Sequence, residues 1–347
     1  MDPKNVAFFD YDPKSQLVVE ETSIPRAKFS AIDGHNHLRK FAEQPNAMED
    51  LLRAMDECNV QAVVDLDGGW GDSLARKLDV FNDFPGRFYA FCRINWERVD
   101  DPRFPKMAVD QLEDSVRRGA RGLKISKRLG LGVKDKDGQY LPIDTPKLDP
   151  VWARCGELGI PVLIHTADPT AFFEPLDKHN ERLRELAEHP DWLFIKDEYY
   201  SKDELLAQRN RVFKRHPNTI FIGAHVASMP ENLKQVGKWL DEFPNLYVDI
   251  SARLSELGRQ PYTARKFLTD YADRIIFGTD GNAMGQPLER MYRLHWRFFE
   301  TYDEYFDVTE SHKVQGDWRV YGVGLPDDVL EKIYQKNFLE LVGEMGA

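Results

Sequence analysis

FSAIDGHNHL (residues 29–38) is an apolar run that ends in an aspartate, a glycine and two histidines one residue apart. Its length, its Phe and Ile content and the polar residues around it read as a first strand buried on both faces. Residues two apart on a strand point the same way, so Asp33, His35 and His37 are expected to share one face. The C-terminal flank of the run bears on the fold. No G-x-G-x-x-G comes after it, which removes the mark of an open, doubly wound dinucleotide-binding sheet. Two adjacent imidazoles suit a metal ion, but nine histidines in 347 residues make one H-x-H an expectable accident. The rest of the chain has to decide.

Seven further apolar runs lie downstream: QAVVDLDGG (61–69), RFYAFCRIN (87–95), RGLKIS (121–126), PVLIHTA (161–167), TIFIGAH (219–225), LYVDIS (246–251) and RIIFGTD (274–280). They are short and mostly continuous rather than alternating, as strands covered on both faces are. Helical patterns separate them at 47–60, 106–119, 148–159, 201–217, 230–244 and 263–273. The fourth of these opens on the capping box Ser201-x-x-Glu204 and is stopped by Pro217. Eight strands alternating with helices predict an α/β fold with a parallel sheet, and eight closes a (β/α)8 TIM barrel. The barrel is assigned to residues 27–347, with residues 1–26 as an N-terminal extension expected to form a short hairpin or a cap on the barrel's bottom. Residues 167–200 exceed an ordinary connection after strand five. That insert carries Phe172, Phe173, Trp192, Phe194, Tyr199 and Tyr200, and reads equally as a lid, a subunit contact or an aromatic-packed excursion.

Composition narrows the class. Hydrophobic residues at 42% and charged ones at 30% are ordinary for a soluble globular protein. No uncharged run is as long as a membrane span, and MDPKNVAFFDYDPK lacks the basic and apolar regions of a secretory signal, so a cytoplasmic protein is expected. A net charge of −11 argues against a nucleic-acid partner. The local basic cluster KISKRLG (124–130) reads as a solvated or substrate-facing loop. Cys58, Cys92 and Cys155 are few and far apart, which fits reduced thiols and excludes a C-x-x-C zinc site. Any metal must be held by nitrogen and oxygen.

In a barrel, chemistry sits at the carboxyl ends of the strands. The first strand ends in His35 and His37, the fourth carries Lys124, the fifth ends in His165, the sixth in His225 and the eighth in Asp280. His179, His189, His216, His295 and His312 fall in helices or loops. Histidines sorted in this way are no longer scattered. Imidazoles with one carboxylate suit Zn²⁺, Mn²⁺, Fe²⁺ or Co²⁺, ions that acidify water and polarise a carbonyl. Asp280 can coordinate or accept a proton, and a remaining histidine can act as acid, base or oxyanion partner. Five more residues have their own readings. Asp33 either orients the site or hydrogen-bonds within the strand, and Arg253 in DISAR either grips a substrate carboxylate or makes a surface ion pair. Asp168 either coordinates or caps a turn, Trp70 either lines a pocket or anchors its loop, and Asn282 shapes the eighth loop.

In their order, IDGHNH, GLKIS, PVLIH, GAH and FGTD resemble the amidohydrolase superfamily. The likeness is to its amidohydrolase-2 branch of decarboxylases, lactonases and a hydratase, and runs from residue 30 to the closing PDDVLEKIYQKNFLELVG. The resemblance implies a metal-dependent hydrolase in which activated water attacks a small amide, ester or lactone. The alternative it implies is non-oxidative decarboxylation of an aromatic or enol acid. Carried over, His35, His37, His165 and Asp280 hold one divalent metal, most often Zn²⁺, while Asp280 activates water and His225 serves as free acid/base. Arg253 and Lys124 then face the substrate. If Lys124 is instead carboxylated, it bridges two ions, with His165 and His225 on the second. A small-molecule substrate and a homo-oligomer, a dimer by analogy, complete what the likeness implies. A catalytically dead barrel would be expected to have lost part of this set.

Overall fold

Eight short strands form where the apolar runs lie. They are β1 Ala31–Asn36, β2 Val60–Asp65, β3 Phe88–Cys92, β4 Gly122–Ile125, β5 Val162–Ile164, β6 Phe221–Gly223, β7 Leu246–Asp249 and β8 Ile275–Ile276. The computed structural model describes residues 5–39, 45–281, 287–308 and 316–344; Asn282 and His312 lie outside these. The strands pair in chain order and in parallel, from β1 through β8. Two backbone bonds join the ends of this sheet: Gly34 N–H to the Phe277 carbonyl (2.9 Å) and Asp280 N–H to the His35 carbonyl (2.8 Å). The sheet is thereby closed into a (β/α)8 barrel.

Helices α1 Pro45–Cys58, α2 Gly71–Asn82, α3 Phe104–Arg118, α4 Asp149–Leu158, α5 Lys202–Arg215, α6 Leu233–Glu242, α7 Pro261–Asp270 and α8 Leu288–Glu300 follow the strands in turn. The capping box at Ser201 and Glu204 starts α5 as expected. Two helices were not expected from the sequence. In α2 only Leu74, Lys77 and Phe81 are buried, too sparse an apolar stripe to announce a helix. In α8 the buried face is broad, from Leu288 to Phe299, although no helical pattern is assigned there from the sequence.

Inward-facing Ile32, Val64, Phe91, Leu163, Ile222 and Ile276 fill the barrel. Phe338, from the closing helical segment, joins them and packs edge-on against Tyr89 near the start of β3. The closing segment therefore plugs the end opposite the carboxyl ends of the strands, the place expected for residues 1–26. The extension forms neither a cap there nor a hairpin among its described residues. It has one 3-10 turn, Phe8–Asp10, held against the insert by Arg184, which donates to the carbonyls of Phe8 and Tyr11.

β1 departs from strict alternation. Its register with β2 shifts between Asp33 and Asn36, and Asp33 does not share the partners of His35. Asp33 accepts from Thr279 N–H (3.0 Å), Thr279 Oγ1 (2.6 Å), Asn36 Nδ2 (2.7 Å) and the Tyr292 hydroxyl (3.1 Å). It is a fully buried brace joining β1, the β8 end and α8. Burial pushes its pKa up to about 6, against the hydrogen bonds of Thr279 and Asn36. The folded state thus holds this proton more tightly than the unfolded chain. Its contribution is complete below the ordinary carboxylate pKa and is lost as the pH rises through about 6. Asp33→Ala leaves several buried donors without an acceptor and is expected to cost about 2–4 kcal/mol in urea unfolding at neutral pH. A loss below about half a kcal/mol, the size of an ordinary surface substitution, would contradict the bracing role.

Candidate metal centre

One cavity of about 390 Å³ at the carboxyl ends of the strands is lined by His35, His37, Lys124, His165, His225, Arg253 and Asp280. The barrel brings all seven predicted site residues together. His35 lies in β1, His37 just past it, Lys124 in β4, His165 one residue beyond β5 and Asp280 beyond β8. Gly278 permits this convergence, since a Cβ there would meet the His35 Cβ at 2.8 Å.

Ligand atoms of His35, His37 and Asp280 lie within 4.8 Å of one another. The Asp280 Oδ1 stands 3.6 Å from His35 Nε2 and 3.2 Å from His37 Nε2, yet it is buried and has no hydrogen bond. On the far side of each ring stands a second carboxylate. His35 Nδ1 donates to Asp249 Oδ2 (2.8 Å), and His37 Nδ1 faces Asp67 Oδ1 at 3.2 Å. Both Nε2 atoms face the Asp280 oxygen, and Lys124 Nζ also lies 3.3 Å from that of His35. Ligands about 2.1 Å from a shared ion lie roughly 3–3.5 Å apart, and metal-bound histidines characteristically carry such outer carboxylates. The donor set and spacing fit a divalent cation.

Charge fits too. Burial works against ionisation of Asp280, but His35, His37 and Lys124 hold its pKa well below the usual carboxylate range. Burial likewise opposes the imidazolium of His37, yet the carboxylates of Asp280 and Asp67 raise its pKa. His35, pressed by burial and by Lys124, stays neutral. A cation therefore competes with a proton at His37, and its affinity falls on acidification.

The fourth expected ligand, His165, lines the same cavity but is not in that three-residue group. Its Nε2 is buried without a hydrogen bond, 3.4 Å from Asp168 Oδ1. Asp168 accepts from Lys127 Nζ at 2.5 Å and so makes an ion pair. A second group of possible ligand atoms, on His35, His225 and Asp249, is already satisfied internally. Asp249 accepts from His35, from His225 N–H (2.9 Å) and from Ser251 Oγ (2.5 Å), and His225 Nδ1 donates to the Ser251 carbonyl (2.9 Å). That bond leaves His225 with a free Nε2 as its proton-accepting atom.

His225 is held on an uncommon backbone. His225, Val226, Ala227 and Ser228 all have positive φ, between 51° and 58°, making one left-handed turn without a glycine. Left-handed conformation costs a side-chain-bearing residue about 1–2 kcal/mol, and strain of this kind gathers at functional sites. Gly223 makes room for the turn, because a Cβ there would meet that of Ala227 at 3.0 Å. Asp280 is itself left-handed, at φ 59°.

Cations surround the cavity. Burial brings the Lys124 pKa down to about 8, and its Nζ lies 3.3 Å from His35 Nε2. Arg253 is 6% exposed, and its Nη1 donates to the Ala252 carbonyl while its Nε has no partner. It makes no ion pair with a carboxylate among the described residues. Lys127 and Arg128 of the basic cluster also face the cavity. Phe172 and Trp192 of the insert line it as a stacked pair, centroids 6.0 Å apart. Phe173, Phe194, Tyr199 and Tyr140 pack behind them, so the insert is an aromatic-packed excursion that also supplies a wall. Trp70 stands outside the cavity, at the start of α2.

Sequence reasoning passed over Asp249, Ser251 and Asp67. A lone carboxylate within the apolar run LYVDIS, fully buried in the structure, was the one available signal for Asp249. Asp67 is placed by Asp65, which accepts its N–H (3.0 Å) and pairs with buried Lys77 (2.6 Å).

No curated protein sequence matches the chain. Among solved structures, an uncharacterised TIM-barrel protein from Bordetella bronchiseptica aligns at 16% identity and TM-score 0.57, over 92% of this chain and 100% of that one. 5-Carboxyvanillate decarboxylase from Sphingomonas paucimobilis aligns at 14% and 0.54, over 91% and 100%. 4-Oxalomesaconate hydratase from Rhodopseudomonas palustris aligns at 14% and 0.51, over 90% and 95%. At these identities the likeness is one of fold. The sequence itself matches the family described as Amidohydrolase (Amidohydro_2) over residues 32–343, and the chain belongs to that family.

Proposed function

We propose that the protein is a metal-dependent hydrolase acting on a small amide, ester or lactone that carries a carboxylate. The observation that carries this reading is the buried Asp280 Oδ1 facing the Nε2 atoms of two imidazoles, each with a second carboxylate at its Nδ1. His35, His37 and Asp280 would hold one divalent ion, with His165, which lines the same cavity, as the fourth ligand. Zn²⁺ is the first candidate, with Mn²⁺, Fe²⁺ or Co²⁺ compatible with the same donors. When bound, the ion supplies Lewis acidity toward a substrate carbonyl and lowers the pKa of water at the strand ends. Asp280, an ionised carboxylate, takes the proton of the attacking water. His225, neutral through burial and the nearby His165, receives that proton from Asp280 at Nε2 and passes it to the leaving group. Lys124 and Arg253 orient the substrate, and Phe172 and Trp192 exclude water over it.

A second reading, non-oxidative decarboxylation, is favoured by the stacked wall of Phe172 and Trp192 beside Arg253, which makes no ion pair with a carboxylate among the described residues. That combination suits a planar acid. Incubation with panels of lactones, esters, amides and aromatic or enol acids separates the two: acid release in a pH-stat supports hydrolysis, and CO2 release supports decarboxylation. Turnover of no member of either panel by metal-loaded protein would count against both. Under either reading, Arg253→Gln removes a charge-assisted contact. It is expected to raise KM for carboxylate substrates about ten- to a hundredfold with a smaller change in kcat. An unchanged KM would remove Arg253 from the substrate site.

The lysine decides the number of ions. With Lys124 as an amine, one metal equivalent is expected; two equivalents after growth with added bicarbonate would mark it as carboxylated. We further propose a cytoplasmic homodimer, on the family analogy and the reduced, buried Cys58, Cys92 and Cys155. No described helix is long and apolar enough to cross a membrane.

A further inference from the structure

Arg209, on α5, is fully buried and makes no ion pair with a carboxylate among the described residues. Burial alone depresses its pKa, to about 9. Such a guanidinium needs compensation. Part comes from the rings of Trp239 on α6 and Phe213, 4.8 and 5.3 Å from its Cζ, and part from Asn210 Oδ1. Its remaining strong bond runs from Nη1 to the carbonyl of Ala227, at 2.6 Å. Ala227 is the third residue of the left-handed turn that begins with His225.

The His225 ring is also held at Nδ1 by the Ser251 carbonyl (2.9 Å), but the Ala227 end of the turn has fewer restraints. Within it, Ser228 N–H donates to the carbonyls of Ala224 and His225, and Met229 N–H to that of Val226. From outside, Asp249 accepts the His225 N–H, and Ala167 N–H reaches Ser228 Oγ at 3.5 Å. No glycine relieves the strain at positions 225–228. Relaxation toward right-handed geometry would swing the Ala227 carbonyl away from α5 and carry His225 with it. A charged donor fixed in an aromatic slot opposes that motion.

We infer that Arg209 is a positioning residue for His225: by clamping the Ala227 carbonyl it keeps the left-handed turn formed and aims the His225 imidazole into the cavity. Its catalytic importance rests on the reading of His225 as the acid/base, but the placement of the ring does not.

The test uses full-length protein labelled with ¹⁵N-histidine, observed through imidazole ¹H–¹⁵N correlations, with His225 assigned by His225→Gln. Arg209→Met keeps the stem and removes the donors. It is expected to give His225 a second set of cross-peaks, with the native turn disfavoured on the order of tenfold or more, while His216 and His295 do not move. Adding Ala227→Gly, which accepts positive φ without a Cβ, is expected to return the His225 signals toward the native set. If Arg209→Met does not fold, Arg209→Lys carries the comparison, with one donor kept and a smaller second population. Unchanged His225 cross-peaks in the folded variant would overturn the positioning role, whatever the melting temperature does. Full turnover by His225→Gln protein would instead remove His225 from the chemistry and leave the clamp standing.

Discussion

Asp280→Asn is expected to lower turnover by roughly 10²–10⁴-fold from the lost proton transfer alone, and further through weaker metal binding. The substitution keeps shape and removes charge. Asn cannot take a proton from water at this pH, and its amide is a poor match for two imidazole lone pairs. Against burial, the neighbouring imidazoles and Lys124 hold Asp280 ionised in the fold, so the Asn variant, which loses that attraction, should also unfold at lower urea in metal-free protein. The pKa of His37 should fall, because a carboxylate that raises it is gone. The measurements are kcat, Zn²⁺ affinity by chelator competition, and urea unfolding. An Asn variant with wild-type affinity and turnover would remove Asp280 from the centre.

Asp249→Asn is expected to weaken metal binding by roughly 10–100-fold, although Asp249 touches no proposed ligand position of the ion. It acts through His35, whose Nδ1–H it accepts, and through the His225 N–H and Ser251. Asparagine keeps one acceptor oxygen and presents an amide where a second acceptor is needed. One buried donor then loses its partner, for about 1–3 kcal/mol of folding stability. The effect on affinity should exceed that of Asp67→Asn, because Asp67 is shared among His37, Arg93 and Arg39 and lies nearer solvent. Equal affinity in Asp249→Asn and wild type would mean that the outer carboxylate does not set the His35 tautomer.

Much of the barrel and its polar rim was legible in the sequence, for a physical reason. Parallel strands covered on both faces must be apolar throughout, so the eight runs declared themselves, and a polar side chain at a strand end stood out as exceptional. His35, His37, Lys124, His165, His225 and Asp280 were found in that way, and the barrel gathers them. The outer partners were not legible, because their roles depend on closure. Asp249 belongs to β7 and meets His35 of β1 only when the sheet curls around. Local geometry was hidden as well. The register shift in β1 separates Asp33 from His35 against simple alternation, and Val226 and Ala227 give no sign of positive φ, since glycine is its usual marker. Helix α2 is hidden by its thin apolar stripe, whereas α8 carries a broad one that the sequence reading passed over.

The central claim, a divalent metal held by His35, His37 and Asp280, is tested most directly by metal content and thermal stability measured together. Protein purified without chelator should carry about one equivalent of transition metal. After stripping, Zn²⁺ or Mn²⁺ at about a hundredfold excess over Kd should restore about 2.7 kcal/mol of stability, seen as several degrees in Tm. That gain should vanish in a His35→Gln, His37→Gln double variant. No bound metal, with a Tm indifferent to added Zn²⁺ and Mn²⁺, would contradict the account.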